Sequence, residues 1–359
     1  MKAVRELMQC GVDERVFPGG VLLVARHGKA LFFEAFGRAC LLPERPMTTD
    51  TVFDLASLTK PLATTVAVMI LVQQEKLNLD QTLASTIPAL GGTDKRQITI
   101  RQFLSHTSGL PDYRPYYKRL IKLASSDRKA RLRDLLVGEN LIHRPGLVSL
   151  YSDLGYMVLE WVVEDASERK LDDFVRDSVY QPLELRHLFF IPLDKGKPRE
   201  KQHFAATEHC PWRDKTLNGE VHDENAYALG GVAGHAGLFG TAKDVYGLLE
   251  ELLNACTGRA NTGLFHRDVV QTFFERHSDV GSWALGFDTP SRPDSSSGHY
   301  FSDHSVGHLG FAGTSFWMDL SKGLIVILLT NRIHPSRQNE RIKTFRPLLH
   351  DTVMGSIPG

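Results

Sequence analysis

The chain has no surplus of charge. Lys and Arg number 42, Asp and Glu number 42, and the formal net charge is zero. No block of like charge stands out, which excludes the polybasic surface of a nucleic-acid binder. Cysteine is scarce: Cys10, Cys40, Cys210 and Cys256 are scattered, with no CxxC pair and no zinc-ligand spacing. Neither a disulfide framework nor a structural metal is called for. Long apolar runs are missing too, and stretches such as LATTVAVMILV fall short of the ~20 residues that cross a bilayer. The N-terminal MKAVRELMQCGVDERVFPGG is charged throughout and lacks the apolar centre of a signal peptide. The expectation is therefore a protein with no membrane span, cytoplasmic, or periplasmic or secreted if a leader has been removed. Three motifs are absent as well. Without G-x-S-x-G there is no α/β-hydrolase elbow. Without HExxH, or a glycine fingerprint between strand and helix, there is no zincin or dinucleotide site. No internal repeat marks a solenoid.

What is present is a chain of 359 residues, 42% of them hydrophobic. That suffices for one large domain or two interlocked ones. The first ~20 residues read as a helix ending near Gly19 and Gly20. Two β-rich runs follow, around a hairpin signal at His27-Gly28-Lys29. After residue 60, PLATTVAVMILVQQEKL is apolar almost all round and reads as a buried helix. The stretch to about residue 240 is mostly helical pieces and loops, including the apolar-periodic DLGYMVLEWVVEDAS. TAKDVYGLLEELLNAC is a helix capped by Thr241, with Asp244 three residues on. HSVGHLGFAGTSFWMDLSKGLIVILLTN reads as three strands, and NERIKTFRPLLHDTVM as a closing helix with Pro347 as a place to break it. RPDSSSG at 292–298 reads as a mobile loop. Strands at both ends with helices between them predict an α+β fold. One antiparallel sheet is built by residues 1–56 and 241–359, residues 57–240 form an inserted helical lobe, and the site lies in the cleft between.

The chemistry centres on FDLASLTKPLA, where Ser57 and Lys60 stand three apart. At i and i+3 on a helix they share a face. A serine hydroxyl becomes a nucleophile only when a base takes its proton. An apolar setting lowers a lysine toward the range where it serves as that base. S-x-x-K alone is weak and needs companions. LVSLYSDLGY supplies Tyr151, a phenol that can shuttle protons, and Asp153. VGHLGFAGTS supplies His308, Gly310 and Gly313, with His308 and Gly310 on one strand face. Glycine there lets a ligand approach the backbone, and the N–H of Phe311 can join that of Ser57 as an oxyanion hole. HYFSDHSVGH offers His299, Asp303, His304 and His308, but four residues along a strand span about 13 Å, too far to share an ion. No metal and no cofactor are expected. GGVAGHAGLFG is either a turn-rich loop or a wall of the cleft.

These segments resemble, in order and spacing, the serine β-lactamase and penicillin-binding-protein superfamily, in its class C-like branch of β-lactamases, DD-peptidases and related esterases. FDLASLTKPLA, LNLDQTLASTIPAL, ITIRQFLSHTSGLPD, YSDLGYMVLE, GGVAGHAGLFGTA and GHLGFAGTSFWMD carry the likeness over most of residues 15–335. The resemblance implies that Ser57 is acylated and that Lys60 and Tyr151 share the proton work. It implies that the Ser57 and Phe311 amides bind the oxyanion beside Gly310 and Gly313. His308 takes the place where many relatives have lysine in K-[ST]-G.

Two departures bear on function. Asp153 stands where Y-x-N is common. A carboxylate only accepts hydrogen bonds, favours a charged Lys60 and opposes its service as a base. His308, ordinarily about neutral, is a weak anchor for the carboxylate of a β-lactam or D-alanyl-D-alanine substrate. The expectation is an esterase or D-amino-acid peptidase/amidase with weak or no β-lactamase activity. The partner is a small ester, amide or peptide. The alternatives are a cell-wall-fragment-binding module with little turnover, or a true class C-like β-lactamase. Specificity is left to residues 112–145, 192–225 and 288–304.

Overall fold

The computed structural model describes residues 1–195, 203–277 and 279–357. Part of the expected specificity loop, residues 196–202, lies outside them. Eleven strands are assigned among the described residues. β1 (Gly19–Arg26), β2 (Lys29–Leu41), β3 (Glu44–Pro46) and β4 (Phe53–Asp54) come first. β5 (Leu188–Phe190), β6 (His209–Cys210), β7 (Lys215–Thr216) and β8 (Leu238–Gly240) lie mid-chain. β9 (Ser305–Leu309), β10 (Ser315–Asp319) and β11 (Leu324–Thr330) come last. The main sheet runs β3-β2-β1-β11-β10-β9, antiparallel throughout, so both ends of the chain do build one sheet.

Period-two alternation makes this sheet a two-sided partition. Val21, Leu23, Ala25, Ile325, Ile327 and Leu329 face the large core shared with the central helices. Leu22, Val24, Leu324, Val326 and Leu328 face a second core, closed by helices Lys2–Asp13 and Ile342–Ser356. His27 and Gly28 turn β1 into β2 with φ +53 and +80, the pairing that a two-residue hairpin demands.

Three local expectations change. The first helix ends at Asp13, and Gly19 opens β1. A Cβ on Gly19 would lie 2.5 Å from the Arg38 carbonyl, so this glycine serves cross-strand approach and not a helix end. The last helix runs unbroken through Pro347; one backbone bond is forfeited, but Phe345, Leu349 and Val353 bury one face against the sheet. The segment 292–298 is exposed at Arg292, Pro293 and Asp294 and packed from Ser295 on. Ser295 and Ser297 are buried, and the Ser296 carbonyl bonds His350 Nδ1 at 2.8 Å.

The all-round apolar helix is central, and Val66 to Leu71 are buried. Its approach is irregular: a 3-10 turn at Ala56–Leu58, then π-helical turns at Lys60–Thr65, then α-helix over Val66–Gln73. Together Ala56–Gln73 is an 18-residue apolar run, long enough by length and composition to cross a membrane, where the shorter reading was not. Inside this fold 78% of it is buried.

The element that assembles the site is a small sheet, β4-β8-β5. Phe53 pairs with Gly240 and Asp54 with Phe239. The Leu55 N–H reaches the Leu238 carbonyl at 3.0 Å, and Thr59 Oγ1 accepts the Leu238 N–H at 3.1 Å. The Ser57 segment is thereby clamped to the far end of GGVAGHAGLFG.

Candidate active site

Ser57 follows a strained residue. Ala56 has φ +50, a conformation costing a side chain with a Cβ roughly 1–3 kcal/mol. Buried Asp54 supports it. One carboxylate oxygen accepts the Ala56 N–H at 2.9 Å and the other accepts the His222 N–H at 2.7 Å. Burial pushes the Asp54 carboxyl up, and those two bonds pull against it.

Lys60 Nζ donates to Ser57 Oγ at 3.2 Å, Asp153 Oδ1 at 2.7 Å and the His235 carbonyl at 3.2 Å. Three acceptors match the three donors of an ammonium. The apolar setting does not lower this lysine. Burial works against its charge, but Asp153 and then Tyr151 outweigh burial and hold it above the ordinary lysine range. The effect foreseen for Asp153 prevails over the apolar-pocket argument.

Lys60 Nζ lies 4.6 Å from the centre of the Tyr151 ring; burial raises the Tyr151 pKa, and the neighbouring Lys60 opposes this. Asp153 opens the helix Asp153–Ser167, where the helix N-terminus favours a carboxylate. Ser152 caps it, accepting the Gly155 N–H at 3.1 Å while donating to the Pro111 carbonyl at 2.6 Å. Tyr151 and Asp153 are therefore set by one rigid helix start, whose helix packs on the Lys60 helix.

His308 is buried, lies behind Tyr151 at 6.0 Å between ring centroids and faces Trp283 at 5.4 Å. Nδ1 donates to the Leu309 carbonyl at 2.8 Å, which leaves Nε2 as an acceptor without a partner. Burial, then Lys60, depresses its pKa to about 3. It is a neutral side chain where a lysine would carry charge.

Strand β9 ends at Leu309, so Gly310 begins a turn instead of sharing a strand face with His308. Its N–H bonds the Thr314 carbonyl at 2.7 Å. A Cβ there would meet Thr314 Oγ1 at 1.9 Å and the Leu55 carbonyl at 2.7 Å. The close approach that glycine permits is made by the protein's own Leu55 carbonyl and Thr314 side chain. Gly313, at φ +101, completes the turn.

Ser57, Tyr151, Asp153 and Phe311 line one cavity of about 390 Å³, with Ala56, Tyr113, Tyr117, His222, Asp223, Glu224, His235, Ala236 and Arg337. Gly310 and Gly313 are outside its lining, as is His308. Phe311 is half exposed, with the His222 ring stacked on it at 5.7 Å. GGVAGHAGLFG is a cleft wall through His235 and Ala236.

Sequence reasoning missed five residues. Asp54 and Trp283 carry no motif signal. His106, within SHTSGL, accepts the Ser152 N–H on Nδ1 at 3.1 Å and packs 4.6 Å from the Tyr151 ring, held neutral by burial. Asp223 and His235 bond each other at 3.0 Å. Burial opposes ionisation of both, but their mutual attraction lowers Asp223 and raises His235. Ligand atoms of Asp153, Asp223 and His235 lie within 4.8 Å of one another, a grouping that a cation could use. The His-rich stretch near β9 is otherwise engaged: His299 pairs with Asp351 and Asp303 with Arg292.

The family model described as Beta-lactamase matches residues 4–349. The chain belongs to the beta-lactamase family. It is 35% identical to the N-acetylmuramyl-L-alanine amidase of Bacillus subtilis strain 168, over 89% of this chain and 78% of that protein. It is 33% identical to a provisionally named D-alanyl-D-alanine carboxypeptidase of Escherichia coli strain K12, over 89% and 79%. Among solved structures it resembles EstCE1, a hydrolase with promiscuous acyltransferase activity, at TM-score 0.74 and 26% identity, covering 96% of this chain and 98% of that one. A class C beta lactamase superposes at TM-score 0.75 over 98% and 97%, but at 17% identity, a likeness of fold alone. This beta-lactamase-family chain is a serine hydrolase with the family's α+β fold.

Proposed function

We propose that the protein hydrolyses small esters or amides through an acyl-enzyme on Ser57, with poor turnover of β-lactams. The observation that carries this is Lys60 Nζ 3.2 Å from Ser57 Oγ and 4.6 Å from the centre of the Tyr151 ring, with Ser57 and Tyr151 on the wall of an open cavity. Ser57 Oγ attacks the carbonyl while its proton passes to Lys60 in the neutral form. Tyr151 relays that proton to the leaving alcohol or amine. The N–H groups of Ser57 and Phe311 meet the developing oxyanion. Water then cleaves the ester by the reverse proton path. Because Asp153 holds Lys60 charged, the reactive form is a minority at neutral pH and the rate climbs with pH. Poor β-lactam turnover follows from a neutral His308, and from Arg337 being already bound by Glu208 and Glu224.

That same restraint on Lys60 favours one second reading, a slow binder that acylates and turns over little. Mass spectrometry after a fluorophosphonate separates the cases. Labelling should fall on Ser57 and vanish in Ser57→Ala, and a p-nitrophenyl butyrate assay should show a steady rate. A burst with no steady rate favours the binder, and labelling elsewhere removes the reading altogether.

A further inference from the structure

Every carbonyl of the turn after β9 is held. The Gly310 carbonyl accepts the Gly313 N–H at 3.0 Å and Arg346 Nη2 at 3.1 Å. Arg332 Nε donates to the Phe311 carbonyl at 3.0 Å, and the Arg332 N–H to the Ala312 carbonyl at 3.1 Å. Thr330 Oγ1 donates to the Gly313 carbonyl at 3.0 Å. The Thr314 carbonyl accepts the Gly310 N–H at 2.7 Å and the same Arg346 Nη2 at 2.9 Å. The Phe311 N–H, by contrast, bonds nothing among the described residues, and Phe311 lines the cavity beside Ser57.

Arg346 is the unusual member of this set. It projects from the last helix, is 5% exposed, and has no partner on Nε. Among the described residues no carboxylate acts on it. Burial, then the like charge of Arg332, lowers its pKa to about 9, so it is charged near pH 7. A guanidinium buried without a counter-charge is costly, and both of this one's hydrogen bonds go to the turn. The Gly310 C=O and the Phe311 N–H belong to one peptide unit, which is not among the cis bonds. In a planar trans peptide these two groups lie antiparallel. Holding the carbonyl therefore fixes the direction of the N–H. A cation on that oxygen also polarises the unit and makes its N–H a stronger donor. The turn is tied to the Ser57 segment as well. Thr314 Oγ1 donates to the Leu55 carbonyl at 3.0 Å, and Ala312 packs with Ala56.

Resting on the acyl-enzyme reading above, we propose that Arg346 is a positioning residue for the oxyanion site. Its guanidinium, anchored in the helix Ile342–Ser356, holds the Gly310 carbonyl and so aims the Phe311 N–H of the same peptide at the carbonyl oxygen under attack. Its second bond, to the Thr314 carbonyl, keeps that N–H in register with the Ser57 segment. Arg346 exchanges no proton and touches no reacting atom. Its effect appears as charge develops on the substrate oxygen, and it is therefore an effect on the transition state more than on binding.

The test compares p-nitrophenyl butyrate with its thiono analogue, in which sulfur replaces the carbonyl oxygen. Both release p-nitrophenol, and each rate is divided by that with hydroxide alone. Sulfur is larger and a weaker acceptor, so donors set for oxygen discriminate against it. The parent should prefer the oxo ester by about a hundredfold or more. In Arg346→Met the oxo kcat should fall about ten- to a hundredfold with KM nearly unchanged, and the oxo-to-thiono ratio should fall with it. The ratio is read within one preparation, so partial unfolding cancels. Arg346→Gln carries the same expectation and decides the case if Arg346→Met does not fold. Arg346→Lys, whose single nitrogen can serve both carbonyls, should recover most of the ratio. The rise of rate with pH, which reports Lys60, should stay in place in all three. Four results each overturn the inference: a parent without preference; both esters slowed alike in Arg346→Met and Arg346→Gln; a ratio in Arg346→Lys no higher than in Arg346→Met; or a displaced pH limb. Loss of butyrate cleavage and of Ser57 labelling in the parent protein instead overturns the acyl-enzyme reading itself.

Discussion

Replacing Asp153 with asparagine should make the protein a faster esterase at neutral pH, against the usual expectation for a residue bonded to a catalytic lysine. The contact is 2.7 Å. With an effective dielectric of about 20, two unit charges at that distance attract by roughly 6 kcal/mol, which is a ceiling. Opposite charges this close more commonly move a pKa by about 1–3 units, or ~1.4–4 kcal/mol. Asparagine keeps an oxygen for Lys60 Nζ but removes the charge, so Lys60 falls by that amount and burial, now unopposed by Asp153, pulls it further down. The sign follows directly. Lys60 serves as a base only when neutral, so acylation rises through its pKa, and lowering that pKa moves the alkaline limb to lower pH. The assay is single-turnover acylation by p-nitrophenyl butyrate from about pH 5 to 10. The limb of Asp153→Asn should lie about 1–3 pH units below that of the parent, with the neutral-pH rate up by as much as about 10- to 1000-fold. An unmoved limb, or one moved upward, would refute the role given to Lys60.

Three further outcomes can be measured. Asp54→Asn puts an amide donor against one of two N–H groups, at 2.9 and 2.7 Å, and should cost about 1–3 kcal/mol in urea denaturation; fluorophosphonate labelling should slow because Ala56 loses its support. Gly310→Ala places a Cβ 1.9 Å from Thr314 Oγ1 and should cut ester kcat/KM much more than it raises KM, since the displaced turn carries the Phe311 N–H. Acid should weaken the fold before the carboxylates titrate. His106, His308 and His350 are buried, and burial depresses all three, His308 to about 3 and His350 to about 4. Their contribution is intact above the unfolded pKa of about 6.5 and is lost as pH falls, at up to about 1.4 kcal/mol per unit for each. His235, raised by Asp223, acts in the opposite sense. Denaturant midpoints should therefore drop between about pH 6.5 and 5, with a gentler drop in His308→Gln.

Much of the fold was legible because local pattern and tertiary demand agree. The near-continuous apolar runs GVLLVAR and LIVILLT suit strands buried on two faces, and the structure sets them side by side as β1 and β11. DLGYMVLEWVVEDAS is a helix over those residues, with Ser152 as its cap. The order of motifs identified the family, since nucleophile helix, tyrosine segment and final hairpin follow one another at the family's spacing. Errors fell where a residue's meaning depends on what lies across space. Gly19 looked like a helix end and is a cross-strand contact. Gly310 looked like a ligand's doorway and is the seat of Leu55.

The sequence by itself thus singled out Ser57, Lys60, Tyr151 and Asp153 as candidates, because a three-residue spacing on helical turns and a capped helix start are local facts. Only the tertiary structure decided their charge. Asp153 lies 93 residues from Lys60 along the chain, and Asp223 and His235 reach the cleft through contacts far apart in sequence, the His222 N–H on Asp54 and the pairing of β8 with β4. Protonation follows the field of every neighbour and the depth of burial, and neither is written in the order of residues.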